Sequence, residues 1–257
     1  MTEKNGAPSN FRVLAVRVDA VQIPEVLAIL EQWLHQRDRC RTVAFNGMHG
    51  MMEARRDPAY RAMMNAADLI VPDGMPLVWL GRVRGMALRR RVYGPELMLS
   101  LCERTSGYRH FFFGGAPGVS DQLASALKNK IPGLQVAGTY SPPFRPLTEL
   151  EDEEVVAELN RASPDVVWVG LGTPKQERWM YEHRDRLNAA VLLGVGAAFD
   201  FHSGTKKQAP GWMRERGLEW LFRLLQEPRR LGRRYLVYGP KFAFLVAMEL
   251  LGLLRFE

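Results

Sequence analysis

Short apolar, β-branched runs alternate with segments of helical spacing along most of this chain, and that alternation leaves few folds open. The strand-like runs are Phe11 to Val18, Thr42 to Gly47, Leu69 to Val71, His110 to Phe113, Leu134 to Tyr140, Asp165 to Gly170 and Ala190 to Val195. Helical spacing fills the intervals: Ile23 to Leu34, Met48 to Ala67 with a break at Asp57-Pro58, Met75 to Val83, Gly94 to about Glu103, and a stretch ending near Lys130. Glu149 to Arg161 and Lys175 to Leu187 complete the set. Strands separated by helices predict an α/β fold with a largely parallel sheet covered on both faces. At 257 residues, the chain is long enough for one such domain with an appendage.

The most informative strand end is Leu69-Ile70-Val71-Pro72-Asp73-Gly74-Met75-Pro76-Leu77. A buried run stops at Pro-Asp-Gly and a helical pattern begins, so Asp73 stands at the carboxyl end of a strand, where open α/β sheets bind ligands. A carboxylate there serves as a base, bonds a sugar hydroxyl, or caps the next helix. Other strand ends also carry glycine and polar groups: Asn46-Gly47, Gly114-Gly115, Gly170 to Thr173 and Gly194 to Asp200. Glycine there lets backbone amides approach a phosphate. By themselves Asn46-Gly47 reads as a turn, Gln176 as a solvated first-turn residue, and Met48, Met51 and Met52 as core packing.

Charge is unevenly distributed. From Thr205 onward there are eleven Lys or Arg and five Asp or Glu, a net of +6 out of +7 for the whole chain. Pro210 to Gln226 reads as a helix with Met213, Trp220, Leu221 and Leu224 on one face, ended by Pro228 and followed by Arg229, Arg230, Arg233 and Arg234. The tail from Phe242 to Leu254 is nearly all apolar apart from Glu249 and is too short to span a bilayer. Periodicity fits a membrane contact and a homo-oligomer contact equally. The expected division is residues 1–204 as the sheet domain and 205–257 as a basic, amphipathic appendage for an anionic partner.

Several classes of chemistry lack their signatures. There is no GxGxxG, no GxxxxGK[ST] and no GxSxG. The five histidines and two cysteines, Cys40 and Cys102, form no metal-ligand or disulfide pattern, and no Asp-x-Asp pair is present. No metal and no cofactor is therefore expected, and a bound diphosphate would rely on arginines and backbone amides. The polar stretch from Met1 to Asn10 lacks the apolar core of a secretory leader, and the cysteines read as free thiols of a reducing compartment.

Six ordered strings then point to a family: Asn46-Gly47-Met48-His49, Ala67 to Gly74, Arg91-Val92-Tyr93-Gly94, Phe112 to Gly115, Gly170 to Glu177 and Gly196 to Phe201. With Ala209-Pro210, Trp212 and Gly217-Leu218-Glu219-Trp220, the chain from Phe11 to Arg234 resembles the WecG/TagA/CpsF family of bacterial glycosyltransferases. The resemblance implies a Rossmann-like body and an inverting, metal-independent enzyme. Such an enzyme moves a sugar from a UDP-sugar donor to a polyprenyl-diphosphate-linked acceptor, in peripheral association with the cytoplasmic face of the plasma membrane. It also implies Asp73 as base and Asn46, Arg91 and Gln176 as polar site residues. Gly114, Gly115, Tyr140 and Asp200 complete the donor side, and Arg214, Arg223 and Arg230 are assigned to the acceptor diphosphate. One departure is Ala44, where a Thr is usual in close relatives; substrate contacts made through that hydroxyl are in question. The competing readings are a nucleotide-cofactor oxidoreductase, disfavoured by the missing GxGxxG, and a nucleic-acid-binding module, disfavoured by the apolar stripe running through the arginine-rich segment.

Overall fold

The computed structural model describes residues 8–256. Most of the polar opening read above as lacking a leader lies outside the described residues.

The chain opens with an antiparallel hairpin, β1 (Asn10–Val13) and β2 (Val16–Asp19). The sequence suggested one strand from Phe11 to Val18, but Leu14 and Ala15 both take left-handed backbone, with φ 49° and 68°, and reverse it. Neither is a residue that favours such a turn, which is why alternation alone missed it. The hairpin is braced on the sheet: the Asp19 carboxylate accepts the Ile70 amide at 2.7 Å, and Arg17 Nη2 donates to the Ala67 carbonyl at 2.6 Å.

After α1 (Ile23–Gln36), the body follows in order: β3 (Arg41–Asn46), α2 (Met48–Arg56), α3 (Pro58–Asn65), β4 (Leu69–Pro72), α4 (Met75–Val83), α5 (Gly94–Arg104), β5 (Arg109–Gly114), α6 (Val119–Lys130), β6 (Gln135–Tyr140), α7 (Glu149–Ala162), β7 (Val166–Gly170), α8 (Lys175–His183), β8 (Val191–Gly194) and α9 (Ala198–His202). Six strands form one sheet in the order β4-β3-β8-β7-β5-β6, every pairing parallel. The expected fold is borne out. β3, β4 and β8 are buried at every position, as the unbroken apolar runs require of strands covered on both sides. Trp168, Phe112 and Leu193 face α1, α5, α6 and α9, while Phe111, Phe113 and Leu192 face α7 and α8. The connections from β5 and β7 leave toward opposite edges of the sheet, opening a crevice at their carboxyl ends.

The basic segment departs from the single-helix reading. α10 (Gly211–Glu215) and α11 (Glu219–Gln226) are separate, because Gly217 takes φ 73° between them. A side chain there would strike Met75 of α4, with its Cβ 3.0 Å from Met75 Cγ, so glycine also allows the segment to settle on the sheet domain. Pro228 ends α11 but starts α12 (Pro228–Gly232), a first-turn position where proline removes no helical bond. A π-helical turn, Arg233–Val237, then joins α12 to α13 (Tyr238–Leu250). The tail read as a membrane or oligomer contact has one face committed within the chain. Phe242 and Val246 bury against a cluster that includes the hairpin, Met51, Leu77 and Tyr60. Glu249, the lone acid of that tail, accepts from the Leu14 amide at 3.3 Å and pairs with Arg84 at 3.2 Å.

Candidate active site

A cleft of about 1640 Å³ runs along the carboxyl ends of the strands and is roofed by the C-terminal helices. Its floor is backbone. Gly114 and Gly170 pair across β5 and β7 so closely that a Cβ on Gly114 would fall 2.6 Å from the Gly170 carbonyl carbon, and Gly114 takes φ 130°. Only glycine fits there. Gly115, Gly170, Gly172, Gly194 and Gly196 line the cleft, with the amides of Gly115, Gly172 and Gly196 bonded to the Gly170 carbonyl, Gln176 Oε1 and the Val169 carbonyl.

Gln176 holds two of these loops together. Its Oε1 accepts the Gly172 amide at 3.1 Å, and its Nε2 donates to the Gly194 carbonyl at 2.7 Å and to Glu177 Oε1 at 2.9 Å. The side chain is 2% exposed, so the solvated reading of this residue is wrong. With both amide hydrogens engaged, Gln176 braces the loops after β7 and β8 as well as bordering the cleft. Glu177, pushed above the ordinary carboxylate range by burial, also accepts from Thr173 Oγ1 at 3.0 Å.

Asp73 follows directly from β4. Its amide donates to the Asn46 carbonyl at 2.8 Å, and the Val92 amide donates to the Pro72 carbonyl at 2.8 Å, so the backbone leading into the carboxylate is held by β3 and by the segment ahead of α5. One carboxylate oxygen is enclosed and has no hydrogen-bond partner. Burial raises the Asp73 pKa to about 6; the Arg91 charge opposes this and the Glu219 charge adds to it. A carboxylate of that affinity takes up a proton readily near neutral pH. Arg91 donates to the Asp73 carbonyl at 3.3 Å and forms an ion pair with Glu219.

The roof supplies positive charge. Arg223 lies with its guanidinium 5.8 Å from the Phe201 ring centroid, Arg230 pairs with Glu227, and Arg234 lines the cleft with them. Arg234 Nε is enclosed without a partner. Burial pulls Arg234 below the ordinary arginine range, and the neighbouring Arg223 and Arg230 charges push in the same direction. Such a cluster gains from a bound anion. Asp200 lines the same cleft and is paired with Lys206 at 2.7 Å. His49 is held neutral, its pKa lowered to about 4 by burial and by Arg234.

The structure therefore gathers Asp73, Arg91, Gly115, Gln176, Asp200, Arg223 and Arg230 around one cleft. Four expected residues do not line it. Asn46 sits behind the wall, its Oδ1 enclosed without a partner and its Nδ2 3.9 Å from Met51 Sδ. Gly114 is covered by Gly170. Tyr140 stacks on Phe113 at 5.6 Å on the edge strand β6. Arg214 lies over the Tyr93 ring at 5.8 Å, the same ring that Arg91 approaches to 4.1 Å. Arg223 and Arg230, assigned to the acceptor diphosphate, share one cleft with the strand-end rim. Ala44 is buried in the core on the far side of β3, so a hydroxyl at that position would not point into this cleft. Sequence reasoning missed Arg234, one of several arginines in a row, and Glu219. Glu219 gave no signal in the sequence, because on the predicted helix it falls on the flank of Arg216 and Arg223, opposite the apolar stripe.

A nucleotide-sized cleft at the strand ends, with an unpaired carboxylate under converging arginines, defines a group-transfer site on an open α/β sheet. The family model for the glycosyl transferase WecG/TagA/CpsF family matches residues 11–255, and the chain belongs to that family. Among curated proteins, an N-acetylglucosaminyldiphosphoundecaprenol N-acetyl-beta-D-mannosaminyltransferase of Bacillus spizizenii is 36% identical over 193 residues, covering 74% of this chain and 72% of the relative. Proteins of the same name from Bacillus subtilis and Staphylococcus aureus are 32% and 33% identical, covering 76% and 68% of this chain and 75% and 68% of their own lengths. The resemblance read from the six strings is borne out, and the enzyme class is glycosyl transfer rather than oxidoreduction.

Proposed function

We propose that this enzyme is an inverting glycosyltransferase that moves a sugar from a UDP-sugar to a polyprenyl-diphosphate-linked sugar during cell-surface polysaccharide synthesis. The observation that carries the reading is the Asp73 carboxylate, unpaired and partly enclosed, in the same cleft as Arg223 and Arg234. Asp73 takes the proton from the acceptor hydroxyl as that oxygen attacks the anomeric carbon. The bond from that carbon to the UDP oxygen breaks on the opposite face, and the configuration inverts. The departing diphosphate is stabilised by arginine, without a metal ion. Asp200 and the Gly115 loop are assigned to the nucleoside, and Arg223, Arg230 and Arg234 to diphosphate groups. The relatives' names make N-acetylmannosamine the first donor sugar to try and a lipid-diphosphate-linked N-acetylglucosamine the first acceptor.

The segment from Thr205 onward acts as the acceptor module and attaches peripherally to the cytoplasmic membrane face. Support comes from exposed Trp212, Leu225, Leu236, Phe244 and Leu251 beside exposed Arg229, Arg233 and Lys241, with Trp79 and Val83 of α4 alongside. No helix among the described residues is long and apolar enough to cross a membrane. A panel of UDP-sugars incubated with a short-chain lipid-diphosphate-N-acetylglucosamine and read by mass spectrometry tests the proposal. Added hexosamine mass from one donor is the expected result, and no transfer from any UDP-sugar would contradict it.

A further inference from the structure

Arg91 stands where a guanidinium would be expected to neutralise Asp73, and it does not. It touches Asp73 only at the backbone carbonyl, 3.3 Å from Nη1, while its Nη2 is taken by Glu219. The Tyr93 ring lies under the same guanidinium, and the Tyr93 hydroxyl donates to the other Glu219 oxygen at 3.3 Å. Gln208 donates to that hydroxyl at 2.8 Å. Glu219 is thus buried with both oxygens engaged, whereas the Asp73 carboxylate has no lysine or arginine partner among the described residues. The two sides of this arrangement come from different parts of the chain. Asp73, Arg91 and Tyr93 belong to the sheet domain; Glu219 and Gln208 belong to the segment after Thr205.

We propose that Glu219 is a positioning residue that holds the Arg91 guanidinium off the Asp73 carboxylate, so that seating of the C-terminal helices sets the basicity of Asp73. The inference rests on Asp73 being the base. An aspartate paired with arginine falls by roughly 1–3 pKa units and becomes a correspondingly weaker base with its oxygens occupied. A second carboxylate that captures the guanidinium prevents that pairing and adds repulsion in the same direction. The charged and titratable groups facing Asp73 are Arg91 ahead of α5, Glu219 and Arg223 on α11, and Arg234 on the π-helical turn, with Tyr93 and the Gly94 amide beside them. Glu219 is the only acid in that group. A chain whose C-terminal helices are not seated leaves Arg91 free to close on Asp73, so the base is ready only when the cleft is roofed.

The test is a titration of the Asp73 carboxyl carbon by ¹³C NMR in the ligand-free full chain, assigned with Asp73→Asn. Glu219→Gln keeps one acceptor oxygen, enough for Arg91 or Tyr93 but not for both, and removes the charge. The Asp73 midpoint should fall by about 1 pH unit, and that fall should shrink by about half or more in an Arg91→Gln background, where no guanidinium remains to swing across. Glu219→Ala replaces the Gln variant if the latter does not fold. An unchanged or higher midpoint in either folded variant overturns the proposal, as does an undiminished fall without Arg91. Turnover of Asp73→Asn tests the underlying reading separately. Near-normal turnover there removes the base and with it the proposal's claim on catalysis, whatever the titration shows.

Discussion

The strand-end rim and the C-terminal roof enclose one cleft by different physical means. The rim is made of largely buried strands whose last residues are fixed by backbone hydrogen bonds, so Asp73 and the glycine loops have little freedom to move. The roof is made of short, half-exposed helices joined at Gly217 and at a π-helical turn, and it presents arginines on long stems. Its hold on the body is local: Phe242 and Val246 in the core, Glu249 on the hairpin and Arg84, and Glu219 on Arg91. The rim supplies position and the roof supplies charge. A transferase needs both, because the proton acceptor must meet one oxygen while a diphosphate is held by several diffuse contacts.

The attachment of the roof can be broken at a single residue. Phe242→Ala removes a buried ring and should destabilise the full chain by roughly 3–5 kcal/mol in denaturant unfolding. A loss below about 1 kcal/mol would mean that α13 is not seated on the body as described. The charge of the roof is tested by Arg234→Ala. Turnover should fall by about 10²–10³-fold, as when one donor to a developing oxyanion is lost. Stability should hold, because the side chain leaves an enclosed nitrogen unpartnered beside two like charges. Turnover close to wild type would place the diphosphate elsewhere.

The rim is sharpened by pH. Burial raises the folded pKa of Asp73 from 3.8 to about 6, so between those values the native state binds a proton that the unfolded chain has lost. Stability is therefore lost as pH rises from 3.8 to about 6, and the full loss persists above that. Asp73→Asn, which cannot ionise, should melt higher than wild type at neutral pH and above. The gap should narrow as pH falls from 6 toward 3.8, and a constant gap across that window would show the carboxylate to be unperturbed. The smallest effect on stability is expected on the outer surface of the roof. Phe244→Ser with Leu251→Ser should change stability by no more than about 0.5 kcal/mol per site. Binding to anionic phosphatidylglycerol vesicles should nevertheless fall several-fold; unchanged sedimentation with vesicles would remove these residues from membrane attachment.

The same contrast governs what the sequence revealed. The rim was legible because its determinants are local: unbroken β-branched runs name the strands, and Pro72-Asp73-Gly74 names the end of one. The α4 range of Met75 to Val83 follows from the same pattern. The hairpin was not legible, because Leu14 and Ala15 carry no turn preference and the reversal is held by tertiary contacts to Asn65, Glu249 and the core. In the roof, Gly217 breaks a helix whose apolar spacing continues across the break, so periodicity counted one helix where two exist. Arg214, Arg223, Arg230 and Arg234 are equivalent in sequence; which of them turns inward depends on how each short helix rolls against the body. Gln176 was found by resemblance, but its bracing of two loops needed the strand order to bring Gly172 and Gly194 within its reach.

The central claim is that a carboxylate fixed by the sheet accepts the proton beneath a roof of arginines. Its most direct test is turnover of folded Asp73→Asn on the donor and acceptor identified by the UDP-sugar panel, with UDP affinity measured on the same sample by calorimetry. The side chain keeps its size but cannot take a proton, so turnover should fall by about 10²–10⁴-fold while UDP affinity stays near wild type. Near-normal turnover in the folded variant would contradict the account and move the search for a base to Asp200.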